Sequence, residues 1–149
     1  MTRKGVYWCV GLLAVALALP LHAVGQDVAG VERAALDYLD GFYEGDQDKL
    51  RRGVHPDVVK YGFFLAEGGA YAGSPMSFQQ MLDFAADVRA RADHPPADAP
   101  REVEILEVLD QTAAAKVTAW WGSDYLHLAR YDGQWKIVHV LWQTPPPDA

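Results

Sequence analysis

Asp124 and His139 are the two side chains of this sequence best suited together to moving a proton. A carboxylate beside an imidazole fixes the ring's tautomer and favours its charged form, which suits general acid–base work. The same pair can equally be a structural hydrogen bond at a pocket rim, with Asp124 a turn residue after Gly122-Ser123. Tyr38, Phe42 and Trp121 are the aromatic candidates for a pocket wall, because a planar heterocycle is held best between rings with a few polar groups nearby. Tyr38 and Phe42 stand at helical spacing, so plain core packing is the alternative for them. Tyr38, Phe42, Trp121, Asp124 and His139 form the expected ligand-binding set. No catalytic residue is assigned.

The remaining histidines carry less. His55 precedes Pro56 at a loop-to-strand junction, where a turn or helix-end contact accounts for it. His94 adjoins two prolines and is expected to be solvated, and His127 falls beside Trp120 and Tyr125. No His-x-His or His-x-x-x-His occurs, so no metal site is expected. A Gly-x-Ser-x-Gly elbow, a phosphate loop and a dinucleotide fingerprint are all missing, and no cofactor is expected. The glycines at 68, 69 and 73 lack such a context and read as a loop or lid.

Composition bounds the setting. With 149 residues, half of them apolar, the chain is sized for one packed domain. Its net charge of −7 argues against nucleic acid or an anionic membrane surface as the main partner. Arg3 and Lys4, the apolar run from Val6 to Leu19, Pro20 and the small residues Ala23-Val24-Gly25 follow the order of a secretory signal peptide. Residues 1–25 are therefore expected to be removed after Gly25, giving a periplasmic or secreted protein with no membrane partner. A retained N-terminal anchor is the alternative. Cleavage would take away Cys9, the single cysteine, so the mature domain is held by its core alone. Residues 26–144 are expected to form a single domain, and the Pro-rich tail 145–149 cannot extend a sheet.

These residues need elements to position them. Val28, Val31, Ala35, Tyr38, Leu39 and Phe42 recur at three- and four-residue steps, which predicts a helix closed by Gly45. Asp46 is placed to cap a short second helix to about Arg52. His55-Pro56-Asp57 reads as a turn, Val58 to Leu65 as a strand, and 66–75 as a loop of unassigned conformation. Ser77 and Gln80 have capping-box spacing before a helix whose apolar face is Phe78, Met81, Leu82, Ala85 and Val88. Arg101–Leu109, Ala113–Trp121, Asp124–Tyr131 and Gln134–Trp142 then read as four strands. Asp132-Gly133 is a strong two-residue hairpin signal, and Gly122-Ser123 a second one. Helices followed by a strand meander make an α+β protein.

Those two turns set the faces. One face would carry Val117, Ala119, Trp121, Asp124, Leu126, Leu128, Trp135, Ile137, His139 and Leu141. The other would carry Lys116, Thr118, Trp120, Tyr125, His127, Lys136, Val138, Val140 and Trp142. The first is drier and should meet the helices. The second is too aromatic to be left in water, which predicts a subunit interface.

The runs Tyr38-Leu39-Asp40-Gly41-Phe42-Tyr43-Glu44-Gly45-Asp46, Leu50-Arg51-Arg52 and His55-Pro56-Asp57 resemble the opening of the putative lumazine-binding family, within the nuclear transport factor 2-like superfamily. The resemblance continues through Met76-Ser77, Glu102 to Leu106, Ala115-Lys116-Val117 and Asp124 to Leu128, and closes with Gly133 to Trp142. It spans nearly all of residues 28–143. It implies a cone, a strongly curved and mostly antiparallel sheet wrapped around helices, with a pocket in the concavity. It also implies a homodimer through the outer sheet face and a small heterocyclic ligand. The sequence departs from the family at His139, where an Asn is expected. The reading that follows is an exported small-molecule-binding domain. The alternatives are a small isomerase, dehydratase or hydrolase using Asp124 and His139, and a structural dimer module without a ligand.

Overall fold

The computed structural model describes residues 23–147, so the expected leader lies for the most part outside the described residues. The first helix, α1 (Ala23–Glu44), is long and turns one face inward. Val31, Ala35, Tyr38, Leu39 and Phe42 are buried as the spacing predicts, Ala34 and Tyr43 join them, and Val28, expected on the same stripe, is exposed near the helix start. Because α1 begins at Ala23, the expected cleavage after Gly25 would fall in its first turn. Gly45 ends it in the left-handed region at φ +66, where a Cβ would stand 2.6 Å from the Ala85 carbonyl oxygen. Asp46 caps α2 (Gln47–Gly53), its carboxylate accepting from the backbone amides of Asp48 and Lys49.

The chain continues into β1 (Val54–Leu65), β2 (Tyr71–Pro75), α3 (Phe78–Arg91) and then β3 (Glu102–Val108), β4 (Thr112–Ala119), β5 (Gly122–Tyr131) and β6 (Gln134–Gln143). The strands form one six-stranded curved, unclosed sheet in the order β2-β1-β6-β5-β4-β3. The β1–β6 pair is parallel and the others are antiparallel. The α+β class is as expected. The helix α1 packs on the inner face of β3, β4 and β6. Small residues on β4 (Ala113, Ala115 and Ala119, all buried) admit it closely. No helix among the described residues is long and apolar enough to cross a membrane.

Four local expectations change. His55-Pro56-Asp57 is not a separate turn but the irregular start of β1, between the pairings of Val54 and Val59 with β6. Residues 71–75 are not loop: they pair with β1 as the edge strand β2. The β4–β5 turn is Trp120-Trp121, since Ala119 pairs with Gly122 and Val117 with Asp124. Gly122 is a glycine for another reason: its φ is +133, and a Cβ would come within 2.0 Å of the Gln143 carbonyl oxygen. The parity of the pairing survives, so Val117, Ala119, Asp124, Leu126 and Leu128 still share the inner face.

The fourth change matters most. The Asp132-Gly133 hairpin is as expected, with both residues at positive φ. Leu128 pairs with Ile137, but His127 pairs with His139, leaving Val138 as an extra residue. Beyond that bulge Val140 and Trp142 point inward, opposite Leu126 and Asp124, and His139 and Leu141 point outward. Val140 is fully buried and Leu141 is 42% exposed, as this exchange requires. His139 is therefore not on the face expected from an unbroken register.

The capping box at α3 is complete: Ser77 Oγ accepts from the Gln80 amide, and the Gln80 side chain accepts from the Ser77 amide. Ser77→Ala should lower stability by about 1 kcal/mol. Urea unfolding should show a lower midpoint with an unchanged m-value.

Candidate functional site

Asp124 enters the concavity from β5 with no exposed surface, and three elements supply its partners. Trp121, at the β4–β5 turn, donates its indole Nε1–H to Asp124 Oδ1 at 2.7 Å. Tyr38, from α1, donates its hydroxyl to Oδ2. Lys60, from β1, places Nζ 3.4 Å from the same oxygen and also donates to the Tyr38 hydroxyl. Lys60 is itself only 6% exposed. An acid, an amine and a phenol thus make one dry cluster at the base of the cone.

Rings surround the amine. Lys60 Nζ lies 5.1 Å from the Tyr38 ring centroid, 5.4 Å from that of Phe42 and 5.5 Å from that of Trp142. Phe42 packs edge-on against both Tyr38 and Trp121. Cation–π attraction offsets part of the cost of burying an ammonium. Desolvation nevertheless prevails: burial pushes the Lys60 amine below its usual pKa, against the opposing pull of Asp124. Burial first, and the Asp124 charge second, hold the Tyr38 phenol well above its usual value.

A cavity of about 240 Å³ opens above this cluster, lined by Phe42, Lys60, Met76, Phe84, Trp120, Trp121 and Trp142. Lys60 supplies the one charged side chain of that almost wholly apolar wall. The volume lies just below the usual range of small-molecule pockets, about 300–1,000 Å³, and suits a small ligand. Gly62 makes room for one wall: it pairs with Trp142 across β1 and β6, and a Cβ there would fall 1.7 Å from the indole Nε1. Tyr43 props the opposite side, its hydroxyl accepting from the Trp120 amide at 2.9 Å and donating to the Pro100 carbonyl.

Of the five expected residues, the structure gathers Tyr38, Phe42, Trp121 and Asp124 and separates His139. His139 stacks on His127 on the outer face, with ring centroids 5.2 Å apart, so the Asp124–His139 pair is not formed. The Val138 bulge is the physical reason. His55 stacks on Tyr131 and accepts from the Asp57 amide, a local contact. Sequence reasoning missed Lys60 and Trp142. A lysine alternating with Val58 and Gly62 in an otherwise apolar strand was the available signal for the first. Nothing local signals the second. Among the described residues, no three His, Cys, Asp or Glu side chains come together as a metal site would need.

The long helix cradled by a curved, unclosed six-stranded sheet is the nuclear transport factor 2-like, or cystatin-like, α+β fold. The sequence model for the family described as putative lumazine-binding matches residues 26–143, and the chain belongs to that family. The chain is 21% identical over 131 residues to a protein named aldolase FrzH from Cladobotryum, covering 84% of this chain and 97% of that protein. It is similar in fold to an NTF2-like protein of Shewanella baltica, with a TM-score of 0.59 and 18% identity over 83% of this chain and 97% of that one. An NTF2-like protein with a cystatin-like fold from Novosphingobium aromaticivorans gives a TM-score of 0.56 and 15% identity, covering 83% and 85% of the two chains.

Removing one member of a buried charged pair leaves the other uncompensated. Asp124→Ala should destabilise the fold by about 3–5 kcal/mol in urea unfolding. The lowered pKa of Lys60 sets a pH dependence with a definite sign. Its contribution is fully present above the unfolded value of 10.5 and is lost as pH falls through the lower folded value. Relative to Lys60→Met, the parent should therefore gain stability as pH rises through that window. A pH-independent difference between the two unfolding curves would refute the assignment.

Proposed function

We propose that this protein binds a small planar molecule in the aromatic cavity above Lys60, as an exported, dimeric binding domain. The observation that carries the reading is the cavity itself: indole and phenyl walls around a single polar floor, the composition that holds a flat heterocycle. Membership in a family described as lumazine-binding supports a ligand of that class. Export rests on the order of basic, apolar and small residues at the N-terminus.

Dimerisation is supported by the outer sheet face. Val59, Tyr61, Phe63 and Leu65 of β1, Tyr71 of β2, Tyr125 of β5 and Leu141 of β6 lie there, each at least 37% exposed. The pairing of Tyr61 with Leu141 and of Leu141 with Tyr125 makes the patch continuous across strands. The mature protein should sediment as a dimer at micromolar concentration. Tyr61→Lys should shift it to monomer without loss of secondary structure, and a monomeric parent protein would remove the dimer from the proposal.

Catalysis is the second reading, favoured by one observation: the charged side chain on the cavity wall is a lysine whose burial favours its neutral, nucleophilic form. That a relative of 21% identity is named an aldolase agrees with chemistry at a carbonyl group.

Titration with lumazine, read by tryptophan fluorescence and calorimetry, tests the cavity. Saturable quenching is expected, weakened about tenfold in Trp142→Ala, the value of roughly 1.4 kcal/mol for a lost ring contact. Gly62→Ala should also weaken it, because the new methyl displaces the same indole. If neither lumazine nor any other bicyclic heteroaromatic saturates the signal, the binding reading fails.

A further inference from the structure

We propose that Lys60 forms an imine with a small aldehyde or ketone seated in the cavity, which makes carbonyl compounds the substrate class of this site. The proposal rests on the reading that the cavity takes a small molecule. Its geometric basis is the position of the amine: Nζ stands where Phe42 and Trp142 of the cavity wall approach within 5.5 Å, so a ligand held by those rings meets it.

Three features of the surroundings suit the reaction. Burial favours the unprotonated amine, the only form with a lone pair to donate. The Tyr38 hydroxyl, bonded to both Lys60 and Asp124, can pass a proton between nitrogen and oxygen. The Asp124 carboxylate, 3.4 Å from Nζ, is a ready counterion once the nitrogen becomes positive.

The step balances without any further reactant. The Nζ lone pair forms a bond to the carbonyl carbon while the carbonyl π pair moves to oxygen. One amine proton leaves and the oxygen gains one, through Tyr38, to give a carbinolamine. The hydroxyl then takes a proton from the Tyr38 hydroxyl and departs as water as the nitrogen lone pair closes the C=N bond, and the resulting iminium returns its remaining N–H proton to Tyr38. An amine and a carbonyl become an imine and water, and an apolar cavity favours release of the water.

The other lysines of the described chain lack this setting. Lys49 is paired with Asp40 and Glu44, which hold its pKa above the usual value. Lys136 is also pushed down by burial, but it donates to the carbonyls of Arg51 and Arg52 and does not line the cavity. Lys116 stands on the outer side of β4, away from the cavity.

The test is reductive trapping with benzaldehyde and sodium cyanoborohydride at neutral pH, followed by intact mass and peptide mapping. A lysine labelled as a benzyl secondary amine at position 60, about tenfold or more faster than at 49, 116 or 136, is the expected result, since only Lys60 meets a carbonyl compound held in the cavity. Labelling at Lys60 should saturate with benzaldehyde, be slowed by benzonitrile, and rise with pH at a lower midpoint than at Lys49. Lys60→Arg should lose the adduct at that position while keeping its circular dichroism. Equal labelling at positions 49, 60, 116 and 136 overturns the proposal. Benzonitrile quenching of tryptophan fluorescence without adduct at Lys60 overturns the imine and leaves the cavity reading standing. Neither quenching nor adduct overturns both.

Discussion

A carboxylate with no access to water must be answered by donors, and Asp124 is answered from three separate parts of the chain. Tyr38 comes from α1, Lys60 from β1 and Trp121 from the turn before β5. An unpaired charge there would cost several kcal/mol, so these elements are held in mutual register. The helix can neither slide along the sheet nor rotate without stripping Tyr38 from the cluster. The cavity exists on top of this arrangement, because the residues that satisfy Asp124 or pack against them also form its floor and walls.

The cluster strains against ordinary solvation chemistry in a useful direction. Lysine and tyrosine are each driven toward their neutral forms by burial, the amine downward and the phenol upward. Three ionisable groups within bonding distance of one another, in an apolar cone, are a reservoir for proton movement rather than a plain ion pair. Around them the walls are almost all ring carbon, so a bound molecule would find shape and π-surface on every side and one polar group beneath it.

Most of the architecture was legible in local pattern. The α1 stripe, the Gly45 stop, the Asp46 cap, the Ser77–Gln80 capping box and the Asp132-Gly133 hairpin are short-range signals, each fixed by backbone dihedrals or by hydrogen bonds within a few residues. Residue type and spacing single out Tyr38, Phe42, Trp121 and Asp124, which the fold does bring together. His139 was assigned to the wrong side because its face depends on counting residues along β6, and a single unpaired Val138 reverses the count. No composition rule marks a bulge between Ile137 and His139. Trp142 was misplaced by the same residue.

The helices, their caps, the tight hairpin, the α+β class and the family are all readable along the chain, because they depend on interactions between near neighbours or on its summed pattern. Tertiary structure alone decided that Lys60, 64 positions from Asp124, becomes its partner, and that Trp142 rather than His139 faces the cavity. Both outcomes follow from long-range strand pairing. There, burying apolar surface selects a register that no short window of sequence encodes.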